Sequence, residues 1–317
     1  NIYMKQKEIL LFGATGQIGR NLVRKLTKNN YKVTAITRNI HRAGYILKTQ
    51  ANPGYLDLIE LKNFGEDKID PLIQKCSICI NLVGILYEKK NNQFKNLHTD
   101  LPDMLSKKAS KYDLENFIHL SSLGIEQALD SIYANSKLNG EKKIRNNFKK
   151  AVILKPSIVY SVDDKFSTNF MTLLSRLPFM PIYYFGKTKF APIHVSELTD
   201  IIFDIIQKKK NNLTLECVGP EQLSFKEILN ILLRAINKKR LLIPLPNMIA
   251  KISAKVLELL PNPLLTQDQL ILLKYDNIKS GIYKTNNDLG IIAKKKFETE
   301  IKKYSYNWRS GGQYTKN

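Results

Sequence analysis

The chain has 317 residues, 43% of them hydrophobic, and a formal net charge of +22 from 50 Lys and Arg against 28 Asp and Glu. This hydrophobic fraction is enough for a sizeable core, which excludes a disordered chain. The longest mostly apolar stretch, 76–86, contains polar residues and is too short to span a bilayer. No signal-peptide or presequence pattern precedes the first predicted strand, so any transit peptide is expected to have been removed.

The positive charge favours anionic partners such as nucleic acid, acidic lipid or an acidic protein surface. However, many lysines lie in surface runs such as 208–210 and 294–296, which is typical of compositional drift. The sequence has no aromatic-studded basic module of the kind that reads RNA or single-stranded DNA. Specific nucleic-acid binding is therefore not expected.

The three cysteines are too few for a disulfide framework and fit a reducing compartment. Cys76 and Cys79 form a C-x-x-C pair, but they flank the start of an apolar run instead of opening a helix. This placement favours a structural role over a redox one. The four histidines lack metal-like spacing, and no metal site is expected.

The first half of the chain alternates short apolar runs with longer amphipathic ones. The predicted strands are 8–12, 32–37, 55–61, 77–83, 116–121 and 151–155, and the clearest predicted helices are 18–29, 94–112 and 132–147. This alternation predicts an α/β fold with a Rossmann-type, doubly wound parallel sheet over residues 1–155.

After Pro156 the pattern becomes mostly helical, with breaks marked by prolines. Helices are predicted at 196–207, at 224–237 behind a Ser224/Glu227 capping box, and at 248–260 behind Asn247. Residues 156–317 are therefore predicted to form a smaller, mostly helical C-terminal domain that packs partly back on the sheet.

A glycine-rich loop stands directly between the first strand and the first helix. Residues 13–19 form a G-x-x-G-x-x-G pattern. Its glycines are Gly13, Gly16 and Gly19, and the residues between them are Ala14, Thr15, Gln17 and Ile18. The glycines allow a tight turn, close approach of a pyrophosphate, and close packing of the helix on the strand. The sequence predicts a dinucleotide site here.

The residues at the end of the second strand determine whether such a site prefers NAD or NADP. Where NAD sites usually carry an acid for the ribose 2′-hydroxyl, the chain has Arg38, with Arg42 nearby. A guanidinium suits a 2′-phosphate, so NADPH is the predicted cofactor.

Tyr133 and Lys137 form a Y-x-x-x-K pair on a predicted helix, where residues four apart share a face. A cationic lysine lowers the pKa of a tyrosine and makes it a general acid or base. Ser121 and Ser122 end the fifth predicted strand and could orient a substrate carbonyl. These residues are candidates for catalysis, and Ser121, Tyr133 and Lys137 also for cofactor binding.

This arrangement resembles the extended or atypical branch of the short-chain dehydrogenase/reductase superfamily. Motifs along the whole chain resemble, more narrowly, the NADPH-binding accessory subunit of respiratory complex I. They are 80–88, 154–160 with Asp164, Phe166 and Asn169, 190–195, 264–269 with 276–277, 288–290, and 311–314. Further cofactor contacts are expected at Asn63, Leu82, Val83, Gly84, Pro156 and Ser157.

The resemblance implies a subunit without catalytic activity of its own, which binds NADPH structurally and supports assembly of the peripheral arm. Its partners would be other complex I subunits. Anionic lipid is a further expected partner, because of the positive charge of the chain. The subunit would lie on the matrix side of the mitochondrial inner membrane, or the cytoplasmic face in a bacterium, without spanning it. Lys155, where such sequences usually carry arginine, and Ser161, where a glycine often stands, are mild departures.

Two other functions stay open. A free-standing NADPH-dependent reductase or sugar-nucleotide epimerase would use Tyr133, Lys137 and Ser122 as its machinery. A redox-sensing or RNA-binding protein on this fold has only the +22 charge in its favour.

One helix could meet a membrane. The segment 247–260 places Met248, Ile249, Ile252, Val256, Leu259 and Leu260 largely on one face, with Lys251 and Lys255 on another. The stripe fits either the core of the small domain or a bilayer interface. The core is favoured because most apolar helix faces of globular proteins pack inward.

Overall fold

The computed structural model describes residues 8–258 and 265–311, and the chain folds as two compact units. The first takes its described residues from Asn1–Ser122, Ser136–Lys155 and Leu198–Leu215. The second takes them from Leu123–Asn135, Pro156–Glu197 and Glu216–Asn317. Motif residues Leu264 and 312–314, and the helix end Leu259–Leu260, lie outside the described residues. Among those described, no helix is long and apolar enough to cross a bilayer. The boundary placed after residue 155 stays a prediction.

Fourteen strands form within the described residues. In chain order they are β1 Glu8–Phe12, β2 Lys32–Thr37, β3 Leu56–Glu60, β4 Ile78–Asn81, β5 Asn116–Leu120, β6 Val152–Pro156, β7 Val159–Tyr160, β8 Phe179–Ile182, β9 Lys189–Phe190, β10 Ile193–His194, β11 Leu213–Cys217, β12 Leu223–Ser224, β13 Leu241–Pro244 and β14 Lys284–Thr285.

Eleven α-helices accompany them in the same residues. They are α1 Gln17–Lys28, α2 Ile40–Leu47, α3 Glu66–Ile73, α4 Leu101–Lys111, α5 Ile132–Asn147, α6 Lys165–Arg176, α7 Val195–Gln207, α8 Phe225–Ala235, α9 Asn247–Glu258, α10 Gln267–Leu272 and α11 Phe297–Lys302.

The main sheet has eight strands in the order β14-β11-β6-β5-β4-β1-β2-β3. The pairs from β3 to β6 are all parallel, and the order reverses between β1 and β4, as in a doubly wound sheet. Leu10, Phe12, Phe117 and Leu105 are buried in the core beside it. The predicted α/β fold class is confirmed.

The predicted helix over 94–112 is instead a π-helical segment, Lys95–Asp100, followed by α4. Pro102 stands in the first turn of α4 and has no N–H to donate to the carbonyl of His98 four residues earlier. The wider turn leaves that carbonyl against α5. There, a Cβ built on Gly140 would lie 3.1 Å from the His98 carbonyl carbon.

The second unit contains short strand pairs that the sequence did not predict: β7 with β10, β9 with β12, and β8 with β13. Its core is built from Tyr160, Leu174, Phe225, Leu232 and Phe297. The capping box of α8 is confirmed, because Ser224 and Glu227 exchange hydrogen bonds with each other's backbone N–H groups.

The apolar stripe of α9 is not core where its side chains are described. Met248, Ile249 and Ile252 are 78%, 51% and 62% exposed, and the helix is instead buried through Ala250 and Ala254. The core interpretation is therefore wrong for these three residues. The side chain of Val256 lies outside the described part of the chain.

Candidate functional site

The loop between β1 and α1 leaves no room for side chains at two of its glycines. Gly13 has φ of +83°, and a Cβ there would lie 2.9 Å from the carbonyl carbon of Leu82. A Cβ on Gly19 would lie 2.6 Å from the Cα of Ala14. Any other residue at either position would push the loop away from β4 or from α1.

The N-terminus of α1 faces this loop. Gly16 is its N-cap and, among the described residues, no side chain caps the helix and no acid stands in its first turn. Arg20 donates to the Thr15 carbonyl at 3.1 Å and adds a positive charge beside the loop. Gln17 and Ile18 begin the helix. The positive end of the helix dipole, with no acid in the first turn, fits a phosphate group here.

Arg38 directly follows β2 and Arg42 lies in the first turn of α2, and both are exposed. Asn39 between them caps α2 by accepting from the Arg42 N–H at 3.0 Å. The sequence placed no acid nearby, yet Glu60 of β3 pairs in register with Thr37. Its carboxylate accepts from the Ile40 N–H at 2.8 Å, which directs it to the start of α2. Asn63 is exposed in the loop after β3.

Asn81, buried at the end of β4, shapes the loop that follows. Its Oδ1 accepts from the Val83 N–H at 3.1 Å, and its Nδ2 lies 3.2 Å from His119 Nδ1. The Leu82 N–H donates to the Phe12 carbonyl at 3.0 Å. The predicted cofactor residues Leu82 and Val83 thus lie directly beside Gly13, and Gly84 is exposed.

His98 ties this second loop to α5. Its Nε2 accepts from the Ile85 N–H at 3.2 Å, so Nδ1, 2.9 Å from Ser136 Oγ, carries the proton. Burial, aided by the charge of Lys137, lowers the pKa of His98 to about 3. The ring is therefore neutral at physiological pH and holds both partners in place. Sequence reasoning gave this histidine no role.

Ser121 lies at the end of β5 with its hydroxyl donated to Glu141 of α5. Glu141 is fully buried and pairs with Lys155 at 2.6 Å and with Arg145 at 3.2 Å. Because its proton is directed to Glu141, the Ser121 hydroxyl is part of a buried ionic network. Ser122, the next residue, is half-buried.

Lys137 is buried one helical turn after Tyr133 on α5, and Tyr133 is also buried. Its Nζ donates to the Leu120 carbonyl at 3.3 Å, and a Cβ on Gly84 would lie 3.7 Å from it. Burial lowers the Lys137 pKa to about 8; the charge of Glu141 opposes the shift and that of Lys155 adds to it. The ammonium thus lies beside the loop after β4.

The N-terminus of α5 is capped from a distant segment of the second unit. The carboxylate of Asp268 accepts from the Ile132 and Tyr133 N–H groups at 2.7 and 3.1 Å. It also accepts from the Ser131 hydroxyl at 2.8 Å. These bonds fix where α5 begins and therefore which face carries Tyr133.

Pro156 and Ser157 belong to the second unit and are buried. Ser157 Oγ lies 2.6 Å from Asn277 Oδ1 and accepts from the Ala191 N–H at 3.0 Å. A role of these two residues in nucleotide binding stays a prediction.

The C-x-x-C pair is buried rather than exposed. Burial raises the pKa of the Cys76 thiol to about 12 and also raises that of Cys79. Both side chains are thus held as thiols, which agrees with the predicted structural role.

A glycine loop between strand and helix, at the reversal of a doubly wound sheet, defines a nicotinamide-nucleotide-binding protein of Rossmann type. The model of the NAD dependent epimerase/dehydratase family matches residues 9–216, and the chain belongs to this family. A dTDP-glucose 4,6-dehydratase from Bacillus anthracis, solved in complex with NAD, shares the fold with a TM-score of 0.70. It is 13% identical, and the match covers 95% of this chain and 96% of that one.

The chain is similar to mitochondrial subunits of an NADH-ubiquinone oxidoreductase. It is 26% identical to the NADH-ubiquinone oxidoreductase 40 kDa subunit of Neurospora crassa, over 89% of this chain and 74% of that protein. It is also 26% identical to the NADH dehydrogenase (ubiquinone) 1 alpha subcomplex subunit 9 of Arabidopsis thaliana, over 90% of this chain and 74% of that protein. The resemblance read from the sequence motifs is confirmed.

Proposed function

We propose that this protein is an accessory subunit of respiratory complex I that holds NADPH as a structural cofactor. The observation that carries the subunit role is similarity over about nine-tenths of the chain to two subunits of that enzyme. The role would be to support assembly and stability of the peripheral arm by contact with other subunits. The protein would lie on the matrix side of the mitochondrial inner membrane, or on the cytoplasmic face in a bacterial host.

The residues present fit a dinucleotide. The uncapped start of α1 and the loop from Gly13 to Gly19 would hold the pyrophosphate. Lys137, which lies beside the loop at Leu82–Gly84, would donate a hydrogen bond to the nicotinamide ribose. When bound, the nicotinamide could supply hydride chemistry, but the structural role requires only that it stay bound.

Arg38 supports NADPH over NADH, because its exposed guanidinium follows β2 and can pair with a 2′-phosphate. The acid of this region, Glu60, is bonded to the Ile40 N–H. Arg38→Asp should weaken NADPH binding by a few kcal/mol, since a charge-assisted bond becomes a repulsion, and should not weaken NADH binding, because an acid here suits the ribose 2′-hydroxyl. Calorimetric titration with both nucleotides measures this. Equal affinity of the parent protein for NADH and NADPH would contradict the assignment.

A second function is favoured by Tyr133 and Lys137, which keep the spacing of a reductase pair, and by the lowered pKa of Lys137. A free-standing reductase or epimerase would use them with Ser122. Under the structural role, Tyr133→Phe should leave NADPH occupancy and assembly nearly unchanged, because it removes only a hydroxyl. NADPH oxidation with a defined carbonyl substrate, abolished by Tyr133→Phe, would establish the enzyme instead.

Anionic lipid is proposed as a further partner, through the exposed face of α9. Met248, Ile249 and Ile252 project from a helix that also carries exposed lysines at 251 and 255. An apolar face with neighbouring lysines can lie in a bilayer interface.

A further inference from the structure

A basic cavity of about 340 Å³ lies in the second unit, and none of its described lining residues belongs to α9. Three cations line it: Arg176, the last residue of α6, Lys238 after α8, and Arg309 near the end of the described residues. No acidic residue is among its described lining residues. Trp308, the only tryptophan of the chain, forms part of its wall.

Hydrogen bonds hold these side chains in place. Lys238 Nζ donates to Ser310 Oγ at 2.7 Å, and Arg309 Nε donates to the Ala235 carbonyl at 2.8 Å. The Trp308 indole N–H donates to Thr172 at 2.9 Å. Within residues 8–258 and 265–311, no carboxylate is within ion-pair distance of the three cations. By contrast, Arg234 of the same unit pairs with Glu298 at 3.2 Å.

The C-terminal ends of α6 and α8 point partial negative charge toward this region. Each amounts to about half an elementary charge. Arg240, which is not among the described lining residues, donates to the Leu174 and Ser175 carbonyls at 3.0 and 3.3 Å and so offsets part of the negative charge at the end of α6. The three full positive charges that line the cavity outweigh about one negative charge, so the cavity favours an anion.

Exposed apolar side chains adjoin the cations along both chain segments. Leu177 follows Arg176, and Leu241 follows Arg240; they are 40% and 71% exposed. Phe179, 51% exposed, is the register partner of Leu241 in the pairing of β8 with β13. A free phosphate or an RNA backbone has no apolar part that could pack against these side chains, whereas a phospholipid has both a phosphate and acyl chains.

We propose that this cavity binds the phosphate of an anionic phospholipid, with Leu177, Phe179 and Leu241 against the acyl region. The site is distinct from the α9 face, and the proposal rests on the membrane-facing part of the proposed function. It would give the second unit a specific headgroup contact in addition to general attraction between a basic protein and an anionic surface.

Fluorescence of Trp308 tests the proposal, because the chain has no other tryptophan. The full chain is titrated with phosphatidylcholine vesicles, with and without phosphatidylglycerol, and separately with inorganic phosphate. The parent protein should show a change in Trp308 emission with phosphatidylglycerol vesicles only. A cation near an anionic surface contributes about fivefold to binding, so Arg176→Gln with Lys238→Gln should weaken vesicle binding about 25-fold. The matched control is Lys279→Gln with Lys284→Gln, which removes two exposed lysines of the same unit.

The control variant should bind vesicles nearly as tightly as the parent. Equal losses in the two variants would overturn the proposal in favour of diffuse charge attraction. Equal responses to inorganic phosphate and to phosphatidylglycerol vesicles would overturn the lipid assignment in favour of a soluble phosphate. NADPH binding and melting temperature are measured on each variant to establish folding. If the Arg176→Gln, Lys238→Gln variant loses vesicle binding but still binds NADPH and co-purifies with complex I, the lipid site fails independently of the proposed function.

Discussion

His98 shows how a single buried ring can organise a nucleotide site. It accepts from the backbone of the loop after β4, contacts Ser136 of α5, and stacks on Phe94 with ring centroids 5.3 Å apart. The ring does this only while neutral, because a second proton would remove the acceptor for Ile85 and place a cation beside Lys137.

The pH dependence of stability follows from this. The pKa of His98 is about 3 in the fold against 6.5 for the free side chain, so the unfolded chain binds more protons below pH 6.5. The contribution of the neutral ring is complete above pH 6.5 and is lost as the pH falls toward 3. Between pH 7.5 and 5 the loss is about 2 kcal/mol.

His98→Gln should therefore reduce the pH dependence of the free energy of unfolding, measured by urea titration at pH 7.5 and 5. His98→Leu should cost about 2–4 kcal/mol at pH 7.5, because the Ile85 N–H and Ser136 lose their partner. The glutamine variant keeps an acceptor and should recover part of this cost. A pH dependence in the glutamine variant equal to that of the parent would contradict the role of the ring.

At the scale of elements, α9 offers the clearest contrast between a buried and an exposed face. Ile252 is 62% exposed, whereas Ala254 is fully buried two residues later. Ile252→Glu should leave the melting temperature nearly unchanged and weaken association with membranes or with the complex. Ala254→Glu should lower the melting temperature strongly, because it buries an unpaired charge.

Ile282→Glu is the matched control, since Ile282 is similarly exposed in the same unit but lies outside α9. It should keep both the melting temperature and membrane association. A melting temperature of Ile252→Glu as low as that of Ala254→Glu would show that this face is core.

Elements with strong local signals could be predicted from the sequence, and α5 and β1 have the predicted bounds. The face of α9 that packs could not, because the buried residues described on it are the small Ala250 and Ala254, whereas the larger Met248, Ile249 and Ile252 are exposed. The π-helical turn before α4 was also missed. Its only local signal is Pro102, which equally fits the first turn of an ordinary helix.

At the scale of the whole molecule, the glycine loop could be predicted because its parts are contiguous in sequence. Contacts between distant positions could not be predicted, since no local pattern links the residues that they join. His98 meets Ser136 across 38 residues, and Asp268 meets the start of α5 across 135 or more. The two units also take their residues alternately along the chain, which no local pattern shows.

We propose that this protein works as a complex I subunit with bound NADPH. This proposal is tested most directly by tagging the chain at its natural expression level and solubilising the membranes in mild detergent. The tagged protein is then followed on a native gel stained for NADH dehydrogenase activity. We predict that it migrates with that activity and that the purified complex releases NADPH, in about equal amount to the tagged chain, on denaturation. A protein that migrates alone, without the dehydrogenase, would contradict the account.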